Sequence, residues 1–514
     1  MKKTKKQAWA LALSVLMGAG VFTALPAAVE TAQAANSITL FRITTDSTHT
    51  VAQLEAQGVD VWQVQPNFVE APLTPEQIDW LQGSGWDYKM SRQTNGPSFD
   101  TSYRTYASVR AALNDYADRY PSLAQVVTIG QTFEGRPIQA IKITNSQSTA
   151  GKPKSLWIGG THAREISPPE VMMSYVDLLL EGYGNDADVT WMLDTREVWI
   201  VPVLNADGHL KAEQLINQRK NTNTSWGSDG VDLNRNYDEA VPGIWGLYGT
   251  SSNPFSIVYP GPRAFSEPET QAIKNLVDSV MGPTGTPQTV ANGFNMVVDM
   301  HSFGNLVMWP WNWTKDTSVH GAASDIANME RIGTKFAAYN TYKPQLGAKL
   351  YATSGDTTDW AYGFHKIPSF TIEIGKTFWP SNQELAGQIA ENRGPFLYGN
   401  KILDDPYGRV KGPDSNGLTA TVQDGRIVIT GAANDGYNGN DRVQAVEVFV
   451  DTLGARGTGV KGTLEKTTSA GSLTDFTATL STQGLTQGKH LLIVEAQDET
   501  GAWGAPSAVF VQIP

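Results

Sequence analysis

Ser155-Leu156-Trp157-Ile158-Gly159 runs directly into Gly160-Thr161-His162-Ala163-Arg164-Glu165. The first five residues read as a buried strand: a short apolar run that stops at a pair of glycines. The next six place a His and a carboxylate three residues apart on the turn leaving that strand, where both can reach one metal ion from the same side. His301, 136 residues beyond Glu165, offers a third ligand. Three N/O ligands hold three corners of a tetrahedron and leave the fourth to water, which is the pattern of a catalytic zinc. Closed structural sites are commonly rich in Cys, and this chain of 514 residues has none. Alone, a His-x-x-Glu is weak in a chain with seven His and many Glu, so its company decides.

Around it the strand-like runs Val126–Gly130, Pro137–Thr144, Ser155–Gly159, Val198–Leu204, Phe294–Met300 and Ser369–Ile374 alternate with helical stretches. The first two form a hairpin across Glu134-Gly135. Helices are predicted over Pro168–Glu181 and Asp188–Thr195, and from Ser266, where Glu269 completes a capping box. Strands alternating with helices predict a mixed, twisted α/β sheet covered on both faces. His162 and Glu165, His301 and Glu373 all fall at or just past strand ends, where open α/β sheets collect their functional groups.

The flanks read differently. Lys2, Lys3, Lys5 and Lys6 precede an apolar stretch from Ala8 to Leu25 and a small-x-small site at Ala32-Gln33-Ala34, so residues 1–34 are expected to be a signal peptide. Residues 35–97 read as a small α/β unit with strands at Ser37–Ile43, Val59–Val64 and Asn67–Ala71. Its helices are Val51–Gln57 and one opened by Thr74-Pro75-Glu76-Gln77. Asp87–Phe99 reads as a polar connection with Lys89 and Arg92 as protease sites, and a compact unit between a signal and an enzyme is most simply a propeptide. Residues 98–405 form the catalytic domain and 406–417, containing Lys411–Gly417 (KGPDSNG), a linker. Residues 418–514, with short alternating runs between Gly/Asn/Asp turns, predict an all-β immunoglobulin-like sandwich.

The formal charge is −12; losing residues 1–34 removes four Lys and one Glu and moves it to −15. An acidic chain without a basic run excludes nucleic acid and anionic lipid as partners. No segment after the signal is apolar enough to span a bilayer, and the absence of Cys fits bacterial secretion into the extracellular medium.

Residues 100–404 resemble the zinc metallocarboxypeptidases of the carboxypeptidase A and B family, in particular its bacterial secreted carboxypeptidase T type. The matching pieces, in family order, are His162–Glu165, Arg219-Lys220-Asn221, Asp232-Leu233-Asn234-Arg235-Asn236, His301-Ser302, Tyr351, Gly355-Asp356-Thr357-Thr358-Asp359-Trp360 and Phe370-Thr371-Ile372-Glu373. The resemblance implies one zinc ion on His162, Glu165 and His301. Asp232 would accept the free N–H of the first ligand His, Glu373 would be the general base, and Arg219 would stabilise the oxyanion. Asn234, Arg235 and Tyr351 would clamp the terminal carboxylate of a peptide, with Arg164 also on the substrate side. Thr358 matches the floor of the pocket for the terminal side chain and Asp356 reaches into it, which implies broad specificity for apolar and basic C-termini. The partners implied are peptide C-termini and an activating protease; calcium is not readable. A peptidoglycan stem-peptide hydrolase cutting a γ-D-glutamyl bond and a non-catalytic binding protein of the same fold are the alternatives. Gln218, Phe303 and Ala206 depart from the family pattern without removing a ligand or catalytic group.

Overall fold

The computed structural model describes residues 37–148, 151–282, 292–466 and 471–514; the expected signal peptide lies outside them. The N-terminal unit is a four-stranded sheet of β1 (Ser37–Thr44), β2 (Gln63–Gln65), β3 (Phe68–Pro72) and β4 (Tyr88–Asn95) in the order β2-β3-β1-β4, with helices Val51–Ala56 and Pro75–Gly83. The second helix starts as its sequence demands: Thr74 Oγ1 accepts from Gln77 N at 3.3 Å and Gln77 Oε1 accepts from Thr74 N at 3.0 Å. Ile43, Leu54, Val59, Val69, Ala71, Leu81 and Trp86 form a core belonging to this unit.

One expectation fails here. Tyr88–Asn95, read as part of an open connection, is an edge strand paired antiparallel with β1 from Ser37↔Asn95 to Ile43↔Tyr88. Arg92, read as a protease site, pairs with Glu70 at 3.1 Å. An edge strand facing water needs no apolar alternation, so YKMSRQTN carries little strand signal. The connection to the catalytic domain shrinks to the residues between β4 and the helix starting at Tyr106.

The catalytic domain holds β5 (Ala124–Gln131), β6 (Pro137–Ile143), β7 (Lys154–Ile158), β8 (Glu197–Val201), β9 (Phe294–His301), β10 (Leu306–Trp309), β11 (Lys343–Leu346) and β12 (Ser369–Glu373). They form one mixed sheet in the order β11-β10-β12-β9-β7-β8-β6-β5. Its centre, β12-β9-β7-β8, is parallel. All eight residues of β9 are buried, as expected of a central strand covered on both faces. Alternation along β7 shows the two layers. Trp157 enters the core formed with helices Ser167–Gly182, Ala323–Asn340 and Asn382–Lys401, whereas Leu156 and Ile158 enter the core under Pro268–Met281 and Thr357–His365. The box expected at Ser266 does not close. Glu267 is the N-cap residue, and Glu269 turns away to accept from Phe133 N at 3.0 Å and Asn221 Nδ2 at 3.2 Å.

The C-terminal region is a two-sheet sandwich. β13 (Asp414–Gln423), β14 (Arg426–Asn434), β17 (Thr463–Lys466) and β18 (Leu473–Ser481) make one sheet. β15 (Val443–Val450), β16 (Val460–Lys461), β19 (Gly488–Asp498) and β20 (Ser507–Ile513) make the other. KGPDSNG is not a free linker: its last four residues open β13, and Gly412 lies so near Gly504 that a Cβ there would meet backbone at 2.5 Å. Residues Pro406–Arg409 form a helical turn. Leu491, Ile493 and Ala505 belong to the same buried cluster as the catalytic domain's Ile402, Leu403 and Val410. Among the described residues no helix is long and apolar enough to cross a membrane.

Candidate active site

The sheet brings the chemistry together. β7, β9 and β12 are neighbouring parallel strands. His162 follows the end of β7, His301 is the last residue of β9, and Glu373, the last residue of β12, is in register with His301. Their carboxyl ends therefore deliver three of the four groups to one edge, and the turn after β7 adds Glu165.

His162, Glu165 and His301 are 3%, 3% and 1% exposed. His162 Nδ1 lies 2.7 Å from Glu165 Oε1, and His301 Nδ1 lies 3.1 Å from both His162 Nδ1 and Glu165 Oε2. Corners of a tetrahedron with metal–ligand bonds of 2.0–2.1 Å are about 3.3 Å apart, so the donor set and its spacing fit a zinc ion. The outward nitrogens are fixed as well. His162 Nε2 pairs with Asp232 Oδ1 at 3.0 Å, His301 Nε2 lies 3.2 Å from Asp299 Oδ2, and Ser302 N donates to Glu165 Oε2 at 3.0 Å. Carboxylates on both outward N–H groups leave both Nδ1 atoms free to face a metal.

Asp299 was not anticipated from sequence. It is fully buried and accepts from Thr161 Oγ1 at 3.0 Å and Thr357 Oγ1 at 2.8 Å. Its signal was available: a carboxylate inside the apolar run FNMVVDM is costly without partners.

Arg219 donates from Nε and Nη2 to Asp232 Oδ2 at 3.1 and 3.0 Å, and its Nη1 lies 4.0 Å from Glu165 Oε1. Burial works to raise the Asp232 carboxyl, but Arg219 and His162 hold it well below the usual carboxylate range. Glu373 moves the other way. Burial, with Glu165 adding like charge against the pull of His301, pushes it up to about 8.

In the same cleft Arg235, 3% exposed, donates to Gly249 O at 2.7 Å, Asn234 O at 2.8 Å and Tyr351 Oη at 3.1 Å. Asn234 Oδ1 accepts from Thr357 N at 3.1 Å. Gly355 adopts φ +80° and a Cβ on it would sit 2.2 Å from Arg235 O, so only glycine lets this loop lie against the arginine.

Asp356 lines the cavity and caps the helix Thr357–His365 through Asp359 N at 3.0 Å. Thr358 does not line the cavity: its hydroxyl is held by Asp356 Oδ1 at 2.9 Å and Asn312 Nδ2 at 2.9 Å, and Asn312 stands at the wall instead. Glu239, unanticipated, and Asp359, quoted in the matched run but given no role, gather with Asp356 into one buried acidic cluster. Burial raises the pKa of all three.

The cavity, about 790 Å³, is roofed by the N-terminal unit through Glu55, Val61 and Trp62. Arg164, 1% exposed, grips Asp60 with both terminal nitrogens, one of the two bonds at 2.8 Å, and its guanidinium lies 4.2 Å over the Phe378 ring. Trp62 packs edge-on to Phe378 at 5.0 Å and to Phe303 at 6.4 Å. Glu55 is 3% exposed, and burial pushes its carboxyl up to about 7 despite the pull of Arg235 and Arg219.

A family model described as zinc carboxypeptidase matches residues 109–393. The chain belongs to the zinc carboxypeptidase family. It is a metallocarboxypeptidase, a peptide hydrolase acting on C-termini. Among its relatives, a zinc carboxypeptidase of Saccharothrix mutabilis subsp. capreolus is 25% identical over 415 residues, covering 74% of this chain and 93% of the relative. Carboxypeptidase A2 of Rattus norvegicus is 26% identical over 366 residues, covering 69% and 81%. In fold, the chain is similar to thrombin activatable fibrinolysis inhibitor, with TM-score 0.59 and 21% identity over 72% of this chain and 99% of that one. It is also similar to carboxypeptidase A from Helicoverpa armigera, with TM-score 0.55 and 21% identity over 72% and 97%.

Proposed function

We propose that the chain is an exported, zymogen-type zinc carboxypeptidase that removes single residues from peptide C-termini, with Glu373 as its general base. The observation that carries this reading is one cleft lined both by Glu373 with the metal-ligand residues His162 and Glu165 and by Arg235 paired with Tyr351. A peptide laid between them meets the chemistry at its last bond and the guanidinium at its terminal carboxylate. Such a clamp beside the chemistry favours the terminal bond.

Each residue has a defined task. Arg235, Asn234 and Tyr351 hold the terminal carboxylate, the guanidinium by paired N–H donors. Arg219 faces the carbonyl oxygen as it gains charge. Glu373 takes a proton from the attacking water and delivers it to the leaving amine. Asp232 and Asp299 keep the two imidazoles in one tautomer. A zinc ion on His162, Glu165 and His301 would polarise the scissile carbonyl and acidify water at its open corner. Asp356, supported by Glu239 and Asp359, accepts a basic terminal side chain, and the remaining wall accepts apolar ones.

Residues 37–95 act as the inhibitory propeptide in this reading. Glu55 brings a carboxylate toward Arg235 and Arg219, where a substrate's own would be drawn, and Asp60 occupies Arg164. Release requires cutting in the short connection before Tyr106, now that β4 is part of the folded unit. The test of the base is Glu373→Gln in zinc-loaded, propeptide-free protein. Zinc content and fold should persist while kcat on blocked dipeptides falls by about 10²–10⁴-fold; near-normal kcat would remove Glu373 from the mechanism.

A further inference from the structure

The sandwich carries a second convergence of carboxylates, far from the cleft in sequence and made from different elements. Asp435, in the loop after β14, Asp441, at the end of the same loop, and Asp498, the last residue of β19, each place a carboxylate oxygen within 4.8 Å of the other two. Asp435 and Asp498 are fully buried. Each has spent one oxygen: Asp435 Oδ2 accepts from Asp441 N at 2.6 Å, and Asp498 Oδ1 accepts from Thr500 N at 2.8 Å and Ala502 N at 3.0 Å. The other oxygens, Asp435 Oδ1 and Asp498 Oδ2, are buried without a donor, and so is the side-chain carbonyl Oδ1 of Asn438, 1% exposed in the same loop. No Lys, Arg or His among the described side chains forms an ion pair with any of the three aspartates. The nearby basic residues are engaged elsewhere: Arg331 donates to Asn438 O at 2.8 Å and Arg442 pairs with Glu499 at 3.2 Å.

Three like charges so close, two of them cut off from water, are strongly unfavourable unless a cation joins them. An all-oxygen, carboxylate-rich set on a Gly/Asn loop is the chemistry of a hard divalent cation with flexible coordination. The loop also comes close to itself, since a Cβ on Gly439 would sit 2.5 Å from Asp441 Oδ2 and 3.2 Å from Asp435 Oδ2.

We propose that Asp435, Asp441 and Asp498, with the side-chain oxygen of Asn438, form a calcium site in the C-terminal sandwich. The ion ties the loop 435–441 to the turn after β19. That junction is also where the sandwich meets the catalytic domain. Asn438 Nδ2 donates to Gly412 O at 2.5 Å, Arg331 of the helix Ala323–Asn340 reaches the same loop, and Lys335 of that helix lies 5.3 Å over the Tyr437 ring. Calcium therefore fastens the sandwich to the catalytic domain without touching the zinc cleft.

The test uses the zinc-saturated full chain, freed of calcium on a chelating resin and reloaded with zinc, and titrated with CaCl2 in a calorimeter. Extracellular calcium modules bind in the range of about 10⁻⁴–10⁻³ M, so the titration extends to several millimolar. The chain should take up one more Ca2+ than Asp435→Asn or Asp498→Asn, and its unfolding temperature should rise on calcium addition by at least about 2 °C more than theirs. If those buried substitutions do not fold, Asp441→Asn, at the partly exposed member, decides: its affinity at this site should fall at least tenfold. Equal calcium stoichiometry and equal thermal shift in the unsubstituted chain and Asp441→Asn would overturn the site, as would uptake of Mg2+ without Ca2+.

Discussion

Two appendages grip the same catalytic domain in opposite ways. The N-terminal unit has a core of its own and touches the catalytic domain at the functional cleft, with Arg164–Asp60 and the Trp62 cluster carrying the contact. The sandwich also has its own core, but its outer face is continuous with the catalytic one through Leu491, Ile493 and Ala505. It adds Arg409–Glu495 at 2.6 Å, both side chains almost wholly buried, and Ala508 N donates to Asp188 Oδ1 at 2.7 Å while Lys401 Nζ donates to Ser507 Oγ at 3.0 Å. Undocking the first opens a small shared cluster, Leu40 and Trp62 against Ile166, Phe303, Phe378 and Trp379, and leaves both main cores intact. Removing the second opens the main catalytic core itself. The expectation of a sandwich free to swing on KGPDSNG is replaced by a sandwich built into the stability of the enzyme.

The largest effect expected from this contrast is therefore at the C-terminal junction. Arg409→Ala leaves Asp404 its second cation, Arg196 at 2.8 Å, but takes the close partner from the buried Glu495, to which only Arg456 at 3.7 Å remains, and breaking a buried pair costs roughly 3–5 kcal/mol. Denaturant unfolding should show that loss in the whole chain, whereas Asp60→Ala should leave catalytic-domain stability unchanged. A cost under about 1 kcal/mol for Arg409→Ala would mean the two interfaces do not differ in kind.

The next effect is a pH dependence confined to the N-terminal unit. Docking raises the Glu55 carboxyl from 4.5 to about 7. The docked state thus binds the extra proton, and Glu55 favours docking fully below pH 4.5 and less as pH rises through 7. The shift corresponds to about 3 kcal/mol. Asp60 acts in the opposite sense. Burial alone would raise it, but Arg164 keeps it below 3.8, so its contribution is present above pH 3.8 and lost as pH falls further. Docking should be tightest near pH 4–5 and loosen toward pH 8. Amide exchange in Val51–Ala56, corrected for intrinsic rates, reads this directly, and a flat profile between pH 5 and 8 would remove Glu55 from the interface energetics.

A smaller and more local effect concerns Asp356. Asn also caps helices well, so Asp356→Asn should preserve the helix Thr357–His365 while removing the charge that would meet a basic terminal side chain. The kcat/KM for C-terminal Arg should fall by 2 kcal/mol or more, about 30-fold, against less than threefold for C-terminal Phe. Parallel losses would make the acidic cluster with Glu239 and Asp359 a structural feature only.

What could be read from sequence follows physical lines. β7, β9 and β12 were legible because central parallel strands are near-continuous apolar runs, and His162, Glu165, His301 and Glu373 were legible because they stand where those runs stop. β4 was not, because an edge strand carries polar residues on both faces, and Asp414–Gly417 was not, because turn-forming residues can also open a strand. The box at Ser266 failed since Glu269 found tertiary donors that no local pattern reveals. Thr358 was expected at the floor of the pocket, but its hydroxyl is taken up by Asn312 and Asp356 and Asn312 lines the cavity instead, for the same reason. Glu55, Asp60 and Trp62 meet the catalytic residues only through docking of one folded unit on another, which has no sequence period at all.

In the proposed reading, Glu373 and the zinc ligands make a carboxypeptidase cleft that residues 37–95 keep closed. The decisive measurement is release of the terminal amino acid from a blocked dipeptide by three zinc-loaded proteins: the full chain, the chain cut between residues 96 and 104, and the cut chain carrying Glu373→Gln. The expected order is slow, fast by at least tenfold, and slow again. A cut chain no faster than the intact one would contradict the closed cleft, and a cut Glu373→Gln protein as fast as its parent would contradict the chemistry.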